Sequence, residues 1–341
     1  MRESSVDPGE RSRQLTAWAL EVGFDRAGVA AVGRAATGDA YLAWLARGDQ
    51  AGLTYLARRV EARLDPRRLL PGARSALCVA LQYGSPEESG PPGTLGRAVA
   101  RYARGRDYHN FMGRRLRRLA ERIRRAFPGA AARAYVDTGP VLERELAAAA
   151  GLGAVGKNTM LLHPEGGSYF LLGEVLTTLD LEPDQPVADL CGTCTRCLDA
   201  CPTGALAAPY RLDSRRCISY WTIEHRGPID EPMRSQLGGW VFGCDICQEA
   251  CPWNAGPAAP ERPEFAPAAE RRDLDLAGLL RLSEAAYRTR FRGSPLQRAG
   301  RAGLQRNAAV ALANPEVEGA AVLIEVLQAG EPLTRSHAAW A

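Results

Sequence analysis

Residues 191–202 read CGTCTRCLDACP and residues 244–252 read CDICQEACP, and these two stretches decide what the middle of the chain can be. The first is a C-x2-C-x2-C-x3-C-P run, and the second repeats it without its first cysteine, for which Cys217 stands upstream. Three thiolates two residues apart can wrap one face of a cubane, while the cysteine before proline turns outward to a second cluster. The expected partition puts Cys191, Cys194, Cys197 and Cys251 on one 4Fe-4S cluster, and Cys217, Cys244, Cys247 and Cys201 on the other. Structural zinc usually pairs C-x2-C units without this run, and a disulfide framework suits small secreted domains. The ninth cysteine, Cys78, lies in the apolar stretch ALCVALQY and reads as a core thiol. Thiolate clusters call for a reducing compartment, so a cytoplasmic location is expected.

Working outward, the 341 residues suffice for two or three domains, and a 46% hydrophobic content can build ordinary cores. No run approaches the roughly eighteen apolar residues of a membrane span. The first thirty residues hold no apolar core after a basic start, so neither secretion nor membrane insertion is expected. A net charge of +4 is slight, so nucleic-acid affinity must come from local patches. Lys157 is the sole lysine among 43 basic residues. The fold class expected is α+β, in three parts. Residues 1–185 form a mixed α/β domain, residues 186–260 a bacterial-ferredoxin-like module, and residues 261–341 a short α-helical, HEAT-like tail. Helices are expected at 10–22, 38–48, 108–127 and 140–150, and strands at 26–32, 75–83, 132–137 and 168–180. PEESGPPGT (86–94) reads as a loop, EPDQPVADL (182–190) as a linker and NAGPAAPERPEF (254–265) as a proline-rich crossing. In the tail, PLQRAGRAGLQRNAAVAL (295–312) begins a unit that restarts as PLTRSHAAWA (332–341). Such a truncated helical array should be weak in isolation.

CGTCTRCLDACPTGAL, CISYWTIEHRGPI and FGCDICQEACPWN together resemble the epoxyqueuosine reductases. The resemblance extends through RYARGRDYH (101–109), YVDTGPVLERELAAAAGLGAVGKNTMLL (135–162) and the helical tail. It implies a cobalamin-dependent enzyme of tRNA queuosine synthesis that removes the epoxide oxygen of epoxyqueuosine as water. The corrinoid would lie between the N-terminal domain and the cluster module, with no histidine from the protein on its cobalt. The implied corrinoid contacts are Arg58, Tyr102, Asp137, Lys157, Asn158, Thr159, Ser219, Cys244 and Asp245. The implied partners are the anticodon stem-loop of tRNA and a low-potential electron donor, with no membrane, and the chain is expected to act as a monomer.

Clusters pass single electrons, whereas the deoxygenation needs two and a strongly nucleophilic or reducing centre, which a corrinoid supplies. The opening epoxide leaves an alkoxide that needs an acid within hydrogen-bond reach. Asp137, at the end of ARAYVD, matches the family's proton donor, provided that desolvation raises its pKa. Capping or closing a turn is the structural alternative for Asp137. His163 and His225 are alternative proton carriers, although a structural role is the commoner fate of each. GLGAVGKNT is a glycine-rich turn without P-loop spacing. From Arg97 to Arg125 eleven arginines stand against two acids, interleaved with Tyr102, Tyr108 and Phe111, which suits either tRNA phosphates or a solvated helix face. Arg298, Arg301 and Arg306 mark a second such surface. The rivals are a corrinoid reductive dehalogenase, expected to carry a twin-arginine leader, and a plain two-cluster electron carrier.

Overall fold

The computed structural model describes residues 7–83, 95–255, 262–268, 274–314 and 316–341. The 86–94 loop and residues 256–261 of the proline-rich crossing lie outside the described residues. The strands are β1 (Arg26–Ala31), β2 (Ser75–Gln82), β3 (Ala132–Tyr135), β4 (Ala154–Val155), β5 (Leu161–Leu162), β6 (Phe170–Thr177), β7 (Leu206–Ala208) and β8 (Arg211–Leu212). Helices of the same region are α1 (Pro8–Glu21), α2 (Gly38–Ala46), α3 (Val60–Leu64), α4 (Leu95–Ala98), α5 (Tyr108–Ala126), α6 (Glu143–Ala149), α7 (Arg196–Ala200), α8 (Glu231–Arg234) and α9 (Ile246–Glu249).

A four-stranded antiparallel sheet in the order β1-β2-β6-β3 forms the N-terminal body. Its middle strands are apolar on both faces because helices cover both. On one face Leu15 and Trp18 of α1 and Met112, Leu116 and Ile123 of α5 pack on Leu77, Val79 and Val175. On the other, Leu146 and Ala147 of α6 pack on Ala76, Cys78 and Leu176, which makes Cys78 the core thiol its context implies. Gly28 lets β1 pass close to α6, since a Cβ there would stand 2.1 Å from the Ala150 carbonyl oxygen. Asp7 and Asp107 start α1 and α5 by accepting backbone N–H groups of the first turn.

The 182–190 linker has no regular structure, yet it is anchored along the edge strand β1. Asp184 accepts the Val29 N–H on its carboxylate at 2.8 Å and returns its own N–H to the Val29 carbonyl at 2.9 Å. Both of β1's backbone groups at that point are thereby satisfied. In the cluster module α7 and α9 each carry the third or second cysteine of a run and pack together, with the β7–β8 hairpin beside α7. Asp49, its side chain fully buried, ties the N-terminal body to this module through Arg211 at 2.9 Å and Arg215 at 3.1 Å.

Within the chain the tail is packed into the rest of the molecule. Every residue from Gly303 to Ala311 of the helix Gly300–Ala311 is buried. Leu304, Ala308 and Leu312 share one core with Ala98 and Val99 of the N-terminal part and with Val241 and Phe242 beyond the cluster hairpin. Small residues on that helix let neighbouring backbones come close, so the tail completes a core with the rest of the chain.

Candidate active site

All nine cysteines are free thiols. Cys191, Cys194, Cys197 and Cys251 line one cavity together with Lys157, Asn158 and Trp253. Cys217 feels the charge of Cys201, Cys247 that of both, and Cys244 that of Cys247 and Cys217, while Cys247 also feels Cys197 of the first run. Among the described residues no three or more His, Cys, Asp or Glu side chains are set to hold a single metal ion. Local chemistry favours thiolate at the turn after α7: desolvation pushes Cys201 up, but the Thr203 hydroxyl and the Ala205 N–H, at 3.4 and 3.3 Å from its sulfur, outweigh it. Donors of this kind stabilise cluster-bound sulfur. Proline after Cys201 and Cys251 ends each short helix, leaving those sulfurs free to turn away from their own run.

Asp137 lies two residues beyond β3, in a left-handed conformation (φ 53°) that few non-glycine residues adopt. Glu143 holds it there by accepting the Asp137 N–H. The carboxyl oxygen Oδ2 accepts from the Tyr108 hydroxyl at 2.9 Å and stands 2.9 Å from His109 Nε2. His109 Nδ1 in turn is 2.7 Å from the Asp107 carboxylate, the same group that caps α5 through the His109 N–H. One imidazole is therefore held between two carboxylates at the first turn of a helix. Although 55% of the Asp137 side-chain surface remains open, protein crowds the carboxyl at longer range.

This geometry corrects the protonation expected of Asp137. Desolvation does push its carboxyl up, but the hydrogen bonds and charge of His109, with the Tyr108 hydroxyl, prevail and hold it below the usual carboxylate range. Desolvation pulls His109 down, yet Asp107 and Asp137 override it and lift the imidazole to about 9. These directions leave His109 protonated at neutral pH and Asp137 ionised beside it. His109 was missed as a functional residue in the sequence, although D-x-H directly ahead of an amphipathic helix was the available signal. Glu143 was missed too; desolvation and then the Asp137 charge push it up to about 8.

The other expected contacts divide into those that turn toward the cysteine loops and those that stay available. Lys157 gives its ammonium to the carbonyls of Gly192 (2.6 Å) and Cys194 (2.9 Å). Asn158 is 3% exposed and donates to the Cys247 carbonyl at 3.2 Å, and Asp245 is 1% exposed and accepts the Arg101 N–H at 2.7 Å. These three brace the cluster module. Arg58 is exposed, and Thr159, Ser219 and Cys244 are half-buried. Tyr102 lies between the two halves of the molecule: burial raises its phenol, which also feels Asp137 from one side and Asp245 from the other. His163 accepts the Glu165 N–H, and His225 pairs with the Pro228 carbonyl against the Trp221 ring, so both serve structure.

The arginine surfaces also need correction. Tyr108 and Phe111 are core residues of α5, so they offer no ring to a base. Arg114, Arg117, Arg118 and Arg125 form its solvent face, while Arg104 is buried and Arg115 pairs with Glu264. In the tail Arg298 and Arg301 reach the surface in ion pairs with Glu224 and Glu284. Arg306 is fully buried and belongs to no surface.

An α+β body that carries a half-exposed imidazole–carboxylate pair and is joined to a double-cluster thiolate module defines an iron–sulfur oxidoreductase. Residues 190–254 match the family model described as 4Fe-4S double cluster binding domain, and residues 63–138 match Epoxyqueuosine reductase QueG, DUF1730. The epoxyqueuosine reductase of Xanthomonas campestris pv. campestris is 43% identical over 98% of this chain and 96% of its own. Among solved structures, an epoxyqueuosine reductase with an epoxyqueuosine-modified tRNA-Tyr stem loop superposes with a TM-score of 0.89 at 34% identity, covering 97% of this chain and 89% of that one. The Bacillus subtilis enzyme, solved with its catalytic aspartate loop swung out of the active site, has a TM-score of 0.89 at 32% identity over the same shares. The chain belongs to the epoxyqueuosine reductase family. No helix among the described residues is long and apolar enough to cross a membrane.

Proposed function

We propose that this chain reduces epoxyqueuosine to queuosine in the anticodon loop of tRNA, with the His109–Asp137 pair delivering the proton that releases the epoxide oxygen. The reaction consumes two electrons and two protons and expels the oxygen as water. The two clusters, held by the partition of thiolates given above, relay the electrons. A corrinoid, when bound, supplies the two-electron centre that single-electron clusters lack. The donor set suits a corrinoid without a histidine ligand, since both ring nitrogens of His109 are held by Asp107 and Asp137, His163 and His225 are engaged elsewhere, and His337 is fully buried. Arg58, Tyr102, Thr159 and Ser219 are the side chains available to it, and Cys244 adjoins it as a cluster ligand, whereas Lys157, Asn158 and Asp245 act through the cluster loops. Tyr135 Oη, buried without a protein partner two residues before Asp137, is a further polar group that a ligand there would satisfy.

The observation carrying this reading is the 2.9 Å contact between His109 Nε2 and an Asp137 carboxyl that is still half open. Proton transfer to the leaving oxygen runs from His109 through Asp137, and Asp107 steadies the imidazole that remains. The substrate base must be splayed from its loop to reach this point. Anaerobic turnover with cobalamin, a strong reductant and tRNA carrying epoxyqueuosine, followed by nucleoside mass analysis, is the test. The nucleoside loses one oxygen with the native chain. Asp137→Asn lowers the rate by about a hundredfold or more, the usual contribution of a positioned acid, with iron content unchanged. Turnover equal to native in that variant would overturn the assignment.

A further inference from the structure

Lys157 sits at the tip of the β4–β5 hairpin, whose turn is closed by the Gly156 N–H on the Met160 carbonyl at 2.8 Å. The hairpin belongs to the N-terminal body, yet Lys157 engages the first cysteine run through three hydrogen bonds from two groups. Its N–H points at Cys191 Sγ at 3.3 Å, and its ammonium binds the Gly192 and Cys194 carbonyls at 2.6 and 2.9 Å. Its own carbonyl accepts the Tyr210 N–H at 3.0 Å, so the backbone is pinned from the module side as well. Across the same loop Asp189 accepts the N–H groups of Cys191 and Gly192 at 3.1 and 3.2 Å, placing one carboxylate opposite the one ammonium.

We infer that Lys157 sets the reduction potential of the cluster held by Cys191, Cys194, Cys197 and Cys251, raising it so that this cluster takes electrons first. The inference rests on the two-cluster reading above. A four-thiolate cubane gains one negative charge on reduction, so a fixed cation and an N–H donor at the sulfur favour the reduced form, and Asp189 opposes them. Gly192, Thr193 and Thr195 are exposed, so this run faces solvent, while Cys244 packs against the same core cluster as Tyr102, whose ring meets that of Tyr108, the donor to Asp137. Electrons entering at the exposed run meet the cluster that Lys157 has made easier to reduce. Lys157 is a positioning residue here and touches no substrate.

The test is an EPR-monitored redox titration of anaerobically purified full chain, with iron counted beforehand, comparing Lys157→Met and Lys157→Arg with the native protein. Lys157→Met lowers the midpoint potential of one cluster and leaves the other unmoved, and Lys157→Arg, which keeps the charge, stays close to native. Unchanged potentials in Lys157→Met at eight irons per chain overturn the inference and leave the two-cluster reading standing. A shift in Lys157→Arg as large as in Lys157→Met also overturns it, because loop geometry and not charge would then be responsible. If Lys157→Met holds fewer than eight irons, Lys157→Gln, neutral but still a donor, replaces it under the same criteria. Fewer than eight irons in the native chain overturns both readings.

Discussion

Among the described residues Arg306 is the largest fully buried side chain, and its hydrogen bonds go to neutral oxygens and to no carboxylate. Its guanidinium donates to the backbone carbonyls of Trp221 (2.6 Å), His225 (2.9 Å) and Gly227 (2.7 Å), and twice to Asn307 Oδ1 (2.8 and 3.0 Å). Trp221 lies in the π-turn Tyr220–Glu224 after Cys217, and His225 and Gly227 lie in the three residues that follow it. Arg306→Leu removes five charge-assisted bonds, each worth about 1.5 kcal/mol at the low end, or roughly 7 kcal/mol in all. Burial lowers the guanidinium to about 10, so its removal returns about 3 kcal/mol of desolvation. The net loss is about 4 kcal/mol, in the range for breaking a buried charge network. Arg306→Lys keeps the charge but offers one nitrogen in place of the fork, so it loses roughly half as much. Urea unfolding of the anaerobic holo chain, followed by tryptophan fluorescence, measures both. A loss below about 1 kcal/mol in Arg306→Leu would show that water satisfies these carbonyls and that Arg306 does not fasten the tail to the cluster module.

Two further outcomes follow from titrating groups. With His109 at about 9 against an ordinary 6.5, its contribution to stability is full below pH 6.5 and is lost as pH rises through 9; epoxide turnover, needing the same proton, falls over the upper limb. In His109→Gln the stability gap to native should close across that window and the limb near pH 9 should vanish, so a retained limb would assign the proton elsewhere. Glu174, 1% exposed on β6 with Oε1 unpaired, has its carboxyl raised by burial and then by Glu143, so native stability is full below about pH 4.5 and declines as pH rises. Glu174→Gln should be more stable than native at pH 8 and nearly equal at pH 4 by thermal melts at the two values, and an equal effect at both would exclude ionisation as the cause.

What was legible in the sequence is what short-range pattern carries. The eight helices and strands expected in the N-terminal body stand within a few residues of their observed bounds, because α5 repeats its apolar positions every three or four residues and β2 is apolar throughout. The cysteine runs are legible for the same reason, their ligand geometry being written into spacings of two and three. The protonation of Asp137 was not legible, since it depends on His109, 28 residues away, and on the carboxylate beyond it. The bracing role of Lys157 was not legible, because its glycine-rich turn is local while its partners lie 35 and 37 residues on. Arg306 looked like a surface charge in an alanine-rich helix. Only tertiary packing reveals that alanines admit the 221–227 backbone close enough to bury it.

The carboxylates around His109 explain why the site can hold a proton near neutral pH and still release it. An imidazolium at a helix N-terminus is opposed by the helix dipole, and desolvation opposes it too. Asp107 overcomes both only because, as the cap of α5, it is fixed by the helix it starts. Asp137 adds the second carboxylate from a strained backbone position that depends on Glu143 accepting its N–H. Because Glu143 itself titrates near 8, the group that positions the loop changes charge in the same pH range as the imidazole that it helps to hold. Loop position and proton occupancy are therefore coupled through one backbone hydrogen bond, and substitutions at Glu143 should alter the pH dependence of turnover even though its side chain donates nothing to the substrate.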